Sequence, residues 1–336
     1  MNEEPFFIIG TQRGGTTLLR LMLNKHSNIS IPPESHFLIS LFKKFAPQQV
    51  LNKEEQHLAK EIIYSNPRFN TWNVSLADFD GIIELLPEQC PLPLLIKKLF
   101  EKQTEPTGKK IWGEKTPEYI DIIPELVAAF PRARFISIIR DGRDVAMSLQ
   151  QRGWQGWSVY QRATYWKQCV HKMSRLEELS TNCLAIQYED IVLNTKDALT
   201  AISNFLEIKF EETILNFHED AAQNITGQEI KSGVHTKLSR SPRGSDVYKW
   251  KTIPDKKDVW LFESVCYKEL KLMGYEIAYF RAGNPLHQFG KYLYWLAGLG
   301  TALVYNIYHT VFSKKAKQRL REKKLYNNLR VAVRKT

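Results

Sequence analysis

The 336-residue chain is sparing with several of the features that would classify it quickly. It has four cysteines (Cys90, Cys169, Cys183, Cys266), and none stands in a C-x-x-C or other metal-ligand spacing, so a zinc ribbon or a disulfide framework is not expected. The opening "MNEEPFFIIG" has no basic segment and no long apolar segment before a cleavage site, so a signal peptide is not expected. Without a secretory signal, the N-x-[ST] triplets at Asn28, Asn73 and Asn224 read as chance matches. There is no internal repeat and no low-complexity tract. A basic surface over the whole chain is missing too, although the net charge is +11. Residues 281–336 hold twelve Lys/Arg and one acidic residue, 12 − 1 = +11, so residues 1–280 are neutral overall. That excludes a broad nucleic-acid surface on the main body.

With 43% apolar and 25% charged residues, the composition is that of a globular protein. The pattern along the chain predicts an α/β fold: a P-loop-like parallel sheet flanked by helices, in one domain over 1–280, with a helical extension over 281–336. Phe6–Ile9 reads as a buried parallel strand, and Thr16–His26 as the helix after it. Residues 27–36 read as a loop, and 37–105, broken by six prolines up to Pro106, as a helical insertion. "IWGEKTPEYIDIIPELVAAFP" reads as strand, turn and helix, with a restart of the helix at Pro124. A second strand is expected at Phe135–Ile139 with a helix from Asp141 to Arg152, and a third strand at "CLAIQYEDIV", leading to a turn. Helices are expected over Thr195–Leu206 and Asp255–Met273, the latter stopped by Gly274. Strands alternating with helices imply parallel pairing.

The chemistry begins at "GTQRGGTT", residues 10–17. Gly10 and Gly15 have the spacing of a nucleotide-triphosphate loop, but the lysine position is Thr16. Glycines let backbone N–H groups approach a phosphate, the next helix offers its positive end, and Thr16 and Thr17 add hydroxyls. Arg140 stands at the end of a predicted strand, where open α/β sheets bind ligands. Ser148 and Arg152 follow at helical spacing on roughly one face. Two anion sites at two strand ends suggest a ligand phosphorylated at both ends. Each group alone is equally at home on a solvated surface, and the loop alone is also consistent with an unoccupied tight turn.

These motifs together resemble the sulfotransferases that use 3′-phosphoadenosine 5′-phosphosulfate (PAPS), over about residues 6–250. The likeness is to the bacterial and Golgi branch that includes the tyrosylprotein sulfotransferases. "QRGGTTLLRLMLNKHSNISIPPE" is similar to the 5′-phosphosulfate loop, with Glu34 21 residues after Arg13. "RDGRDVAMSLQQR" is similar to the 3′-phosphate motif, "WGEKTP" to a lysine motif, and "QYEDIV" to a nucleotide contact. "SRSPRGSDVYKW" is similar to a loop that closes over the nucleotide, though one residue shorter than that pattern.

The resemblance implies transfer of a sulfuryl group from PAPS to a hydroxyl or amine, with adenosine 3′,5′-bisphosphate (PAP) as product. It implies Arg13 and Lys115 as cations at the transition state and Glu34 as the base, with His36 the rival base or a loop hydrogen-bonding residue. The donor would be held by Arg13, Gly14, Gly15, Thr16, Thr17, Arg140, Ser148, Arg152, Tyr188 and Lys249, and by one of Thr236, Ser239 and Ser241. Tyr188 reads equally as a core tyrosine. Gly14 departs from the serine or alanine usual there. No metal is implied. A P-loop kinase or NTPase, and a non-catalytic nucleotide-binding protein at a membrane, are the alternatives.

Trp154, Trp157, Tyr160, Tyr165 and Trp166 read either as core or as the lining of an apolar acceptor pocket. The acceptor itself, whether a small molecule, a lipid-linked group, a glycan or a peptide hydroxyl, is not written in the sequence. Tyr292–Ser313 carries no charged side chain, near the ~20 residues that span a bilayer, and a basic run follows it. A spanning helix would set the basic end and the PAPS-using domain on opposite sides. The expectation is therefore an in-plane helix with 286–336 on an anionic cytoplasmic membrane face. Packing of this segment on the domain, or on a second copy in a homo-oligomer, is the alternative.

Overall fold

The computed structural model describes residues 4–154, 158–219, 240–253 and 256–285, together with 290, 292 and 300. The chain divides into two compact units, Met1–Val145 with Gln168–Thr252, and Ala146–Lys167 with Ile253–Thr336.

The described strands, in chain order, are β1 (Phe6–Gly10), β2 (Ile29–Ser30), β3 (Val50–Leu51), β4 (Cys90–Pro91), β5 (Ile111–Glu114), β6 (Arg134–Ile139) and β7 (Cys183–Gln187). Five of them form one sheet in the first unit, in the order β2-β5-β1-β6-β7, with every pairing parallel. β1 sits in the middle, and all five of its residues are buried, as expected of a strand covered on both faces. The strand period sends Phe6 and Ile8 to one face and Phe7 to the other.

On the first face, Ile8 and Ile136 pack with Leu19 and Met22 of α1 (Thr16–Asn24) and with Leu199 and Ile202 from later in the unit. On the second, rings carry the core outward from the sheet. Phe7 stacks on Phe135 (5.4 Å) and meets Trp112 edge-on (6.2 Å); Trp112 stacks on Phe100 (4.3 Å), Phe100 meets Trp72 (4.9 Å), and Trp72 meets Phe37 (5.3 Å). Such offset and edge contacts add to the burial of large apolar area. They anchor the segment 37–105, which folds into α2 (Leu38–Lys44), α3 (Lys53–Tyr64), α4 (Leu76–Leu85) and α5 (Leu92–Thr104), with β3 and β4 pairing antiparallel between them. α3 and α4 each start at a capping box, Asn52 with Glu55 and Ser75 with Asp78.

After β5 a 3-10 turn, Pro117–Asp121, leads to α6 (Ile123–Ala129), with Pro124 in its first turn as the sequence suggests. α7 (Gly142–Gln150) and α8 (Val159–Leu179) follow β6, and the division between the units falls inside both. Two short features were not expected. β2 lies inside the predicted loop 27–36, and the third strand ends at Gln187, so that "YEDIVL" forms a helix, α9 (Tyr188–Leu193), where the strand was predicted to continue. α10 (Thr195–Phe205) closes the first unit's helical layer.

In the second unit, α11 (Lys256–Leu272) packs on the α8 residues Ala163 and Trp166. Trp166 lies 5.6 Å from Phe262, and the Cys266 Sγ donates to Ala163 O at 3.2 Å. Gly274, at φ +76°, ends the run past α11 as predicted. The buried Glu263 carboxylate accepts the N–H groups of Ala278, Tyr279 and Phe280 at 2.8–3.0 Å. Trp166 is thus a core residue, Tyr160 and Tyr165 are half-buried, and Trp154 is exposed, while Trp157 lies outside the described residues. Most of the uncharged segment and all of the basic run after it also lie outside. Among the described residues no helix is long and apolar enough to cross a membrane.

Candidate active site

β1 delivers the loop of residues 11–15 to the carboxyl edge of the sheet, and the loop is built around its glycines. The Gly14 N–H donates to Thr11 O at 2.9 Å, closing a tight turn. A Cβ on Gly14 would sit 2.7 Å from Thr11 Oγ1 and 2.9 Å from Thr11 O. The serine or alanine common at this position in the resembling family has no room beside Thr11, which accounts for the glycine. Gly15 has φ +99°, and a Cβ there would lie 2.2 Å from the Tyr188 ring. Arg13 also takes a left-handed backbone, φ +65°, and is half-buried. Thr16 and Thr17 then open α1, whose first-turn N–H groups carry no side-chain cap.

Lys115 and Glu34 meet beside this loop. Lys115 follows β5 directly, between β1 and β2 in the sheet, and is fully buried. Its Nζ donates to Thr17 Oγ1 at 3.2 Å and to Glu34 Oε1. Glu34 is held there by the segment after β2. Trp72 Nε1 donates to Pro33 O at 3.0 Å, Arg20 Nη1 to Pro32 O at 3.4 Å, and Ser35 N to Thr116 Oγ1 at 3.1 Å. Burial favours the neutral form of Glu34. The Lys115 charge and hydrogen bonds from His36 and Lys115 outweigh it, and the carboxyl is held well below the usual range. It is therefore ionised at neutral pH.

Behind this pair is a buried polar network. Glu114 Oε1 accepts from Thr116 Oγ1 at 2.5 Å, and its Oε2 has no hydrogen-bond partner. Ser35 Oγ bonds to the Tyr119 hydroxyl, which also accepts from Leu38 N at 3.1 Å. Burial pushes the Glu114 carboxyl up to about 7, against the pull of hydrogen bonds with Thr116 and Ser35 and of the Lys115 charge. Two glutamates flanking one lysine thus have opposite environments.

The second cluster forms where β6 ends. Arg140 Nη1 donates to Arg13 O at 3.1 Å, and Nη2 to Asp144 Oδ2 and Asp246 O, both at 3.3 Å. Its guanidinium lies 4.4 Å from the centre of the Tyr188 ring. Arg140 is therefore bonded to the main chain of the glycine loop itself. Asp246 gathers further cations: Arg240 at 2.8 and 2.9 Å and Lys249 at 3.3 Å, with Arg243 N at 3.1 Å. Burial opposes its charge, but these hydrogen bonds bring its carboxyl down to about 2.

Arg143, in the same motif, is spent on structure: it pairs with Asp141 at 2.8–2.9 Å and lies 3.6 Å from the Trp250 ring centre. Trp250 N in turn donates to Asp144 Oδ1 at 2.9 Å. The lysine-tryptophan end of the closing loop is thus tied to the arginine motif.

The sequence-predicted residues therefore divide. Thr17, Lys115 and Glu34 are in direct contact, and Arg13, Arg140, Tyr188, Gly15 and Lys249 belong to one connected set. Tyr188 is both a core residue and a wall of this set. Ser148 and Arg152 are half-buried, on α7 and just after it, in the second unit. Ser241 is exposed, with its hydroxyl 3.4 Å from His218 Nδ1. Thr236 and Ser239 lie outside the described residues.

Sequence reasoning missed Gln12, Glu118, Asp144 and Asp246. Asp144 stands four residues after Arg140 on one helix face, a signal that was available. Gln12 and Glu118 meet across 106 positions, Nε2 to Oε1 at 2.9 Å, and only the fold brings them together. Glu34, His36 and Glu118 each place a potential ligand atom within 4.8 Å of the others. Glu34 is hydrogen-bonded to His36 and Lys115, and Glu118 Oε1 to Gln12.

Comparison with known proteins agrees with this fold. The sulfotransferase family profile matches residues 5–212. Protein-tyrosine sulfotransferase 1 of Danio rerio is 24% identical over 219 residues, 63% of this chain and 56% of that protein. Protein-tyrosine sulfotransferase A of Caenorhabditis elegans is 25% identical over 252 residues, 72% of this chain and 57% of its own. The chain thus spans a little over half the length of these two relatives. The solved sulfotransferase domain of the Synechococcus PCC 7002 olefin synthase superposes with a TM-score of 0.58 at 20% identity, covering 82% of this chain and 97% of that one, a likeness of fold. The chain belongs to the sulfotransferase family.

Proposed function

We propose that the chain transfers a sulfuryl group from PAPS to a hydroxyl acceptor, with Glu34 as base and Lys115 and Arg13 as the cations at the transition state. The observation that carries this reading is the Lys115 ammonium, buried at the sheet edge, bonded at once to Thr17 of the phosphate loop and to Glu34. The loop and the first turn of α1 suit the 5′-phosphosulfate, and Arg140 suits the 3′-phosphate. Tyr188, Lys249 and one of Thr236, Ser239 and Ser241 complete the proposed donor site in the first unit.

The shared lysine also gives a timing. While Lys115 holds Glu34, the carboxylate is a weak base. As negative charge grows on the oxygen leaving sulfur, the ammonium is drawn toward it, and Glu34 gains proton affinity as the acceptor must lose its proton. No part of this chemistry calls for a metal.

Because two relatives are named protein-tyrosine sulfotransferases, a phenolic hydroxyl is the first acceptor class to test. The neutral body and the +11 charge of residues 281–336 support a peripheral site on an anionic membrane, facing the cytoplasm where PAPS would be met. The test of the donor is titration calorimetry with PAP and with ATP, each with and without Mg²⁺. PAP is expected to bind without metal, about 10- to 100-fold more weakly in Arg140→Ala. A preference for Mg-ATP would support the kinase alternative instead.

A further inference from the structure

His36 stands two residues from Glu34 and takes a left-handed backbone, φ +53°, which a non-glycine residue rarely adopts. Such outliers persist where the surroundings enforce them. Here both ring nitrogens face carboxylates. Nε2 lies 3.1 Å from Glu34 Oε2, and Nδ1 lies 3.7 Å from Glu118 Oε2. The other Glu118 oxygen accepts from Gln12 of the donor loop at 2.9 Å. On the far side of Glu34, Lys115 takes Oε1 and reaches back to Thr17. Gln12, Glu118, His36, Glu34, Lys115 and Thr17 therefore stand in one row that begins and ends on the glycine loop, joined by hydrogen bonds except between His36 and Glu118, which face each other at ion-pair distance.

A carboxylate gripped at one oxygen can still turn about its last bond. Gripped at both, its plane is fixed, and so is the lone pair left for the acceptor. We propose that His36, seated on Glu118, is a positioning residue that fixes the Glu34 carboxylate and couples its aim to the donor loop through Gln12. The proposal rests on the reading of Glu34 as the base. In the step it serves, the acceptor oxygen bonds to sulfur and the bond from sulfur to the phosphate oxygen breaks. The electron pair stays on the phosphate, and the acceptor proton goes to Glu34. His36 takes no part in the bond changes. Its effect is confined to proton removal.

The test uses the full-length protein, PAPS, and a series of substituted phenols from 4-nitrophenol, which gives up its proton readily, to 4-methylphenol, which does not. His36→Gly removes the ring and also relieves the left-handed backbone, so the protein is expected to melt at the same or a higher temperature. With 4-methylphenol, kcat is expected to fall about 10- to 100-fold while KM for PAPS stays near that of the wild type. The loss shrinks toward 4-nitrophenol. His36→Gln, whose amide can donate to Glu34, recovers much of the rate. A wild-type kcat in His36→Gly, or an equal loss along the whole series, overturns the proposal. Glu34→Gln run in parallel separates the two claims. If it is as fast as the wild type, the base reading itself has failed; if it is slow while His36→Gly is not, only the positioning claim has.

Discussion

The Glu114 carboxyl gives a prediction that needs no substrate. It is buried at the end of β5, with one oxygen bonded to Thr116 and the other unpartnered. Its proton affinity rises from the ordinary 4.5 to about 7 on folding. Below pH 4.5 it is protonated in both states and costs nothing. Between 4.5 and 7 the unfolded chain has lost this proton while the folded chain retains it, so stability falls as pH rises. Above about 7 both forms are ionised and the cost is constant. At about 1.4 kcal/mol for each tenfold change in affinity, the full cost is about 3 kcal/mol.

Glu114→Gln keeps the shape and the acceptor for Thr116 but cannot ionise. Urea unfolding of both proteins at pH 5 and pH 8 isolates the effect, because the other groups titrate in both. The variant is expected to gain on the wild type by up to about 3 kcal/mol between the two pH values. A difference that does not change with pH, or one that changes in the opposite direction, would refute the argument that Glu114 is buried as the neutral acid.

Two further predictions concern the loops around the site. Gly14→Ser should destabilise the protein by about 1–3 kcal/mol in a urea melt and weaken PAP binding. Adding Thr11→Ala should recover only part of this, because the Thr11 carbonyl oxygen remains 2.9 Å from the new Cβ. Arg143→Ala strips the partner from the buried Asp141 and the stack from Trp250. It should cost about 3–5 kcal/mol by denaturant melt, and Arg143→Lys, which cannot make the two-point contact, should not restore it fully.

What could be read from the sequence was whatever local chemistry decides. β1, its glycine turn and α1 were legible because an all-apolar run, glycines and a helical period follow one another without a gap. The stop at Gly274 was legible for the same reason. β2 was not, since two residues in a polar, proline-bounded loop become a strand only through pairing with Ile111 and Trp112. α9 was not, since "YEDIVL" has strand-like residues and its helix is set by the packing of Tyr188 and Ile191 into the core. Among the site residues, Glu34 and Lys115 were picked from motifs, but their contact crosses 81 positions and depends on the sheet order. The family likeness left Gly14 unexplained, and the reason lies in Thr11, whose hydroxyl and carbonyl oxygen both crowd a Cβ there. The Gln12–Glu118–His36 brace has no motif of its own and emerges only once the loop, the strand end and the 3-10 turn are side by side.

The most direct test of the account follows sulfur itself. Full-length protein is incubated with [³⁵S]PAPS and a phenolic acceptor, and labelled sulfate ester and PAP are measured for the wild type and Glu34→Gln. The account predicts equal amounts of ester and PAP from the wild type. It predicts a rate lower by about 100-fold or more in Glu34→Gln, with PAP affinity unchanged. Equal rates in the two proteins, or release of terminal phosphate from ATP in place of sulfate transfer, would contradict it.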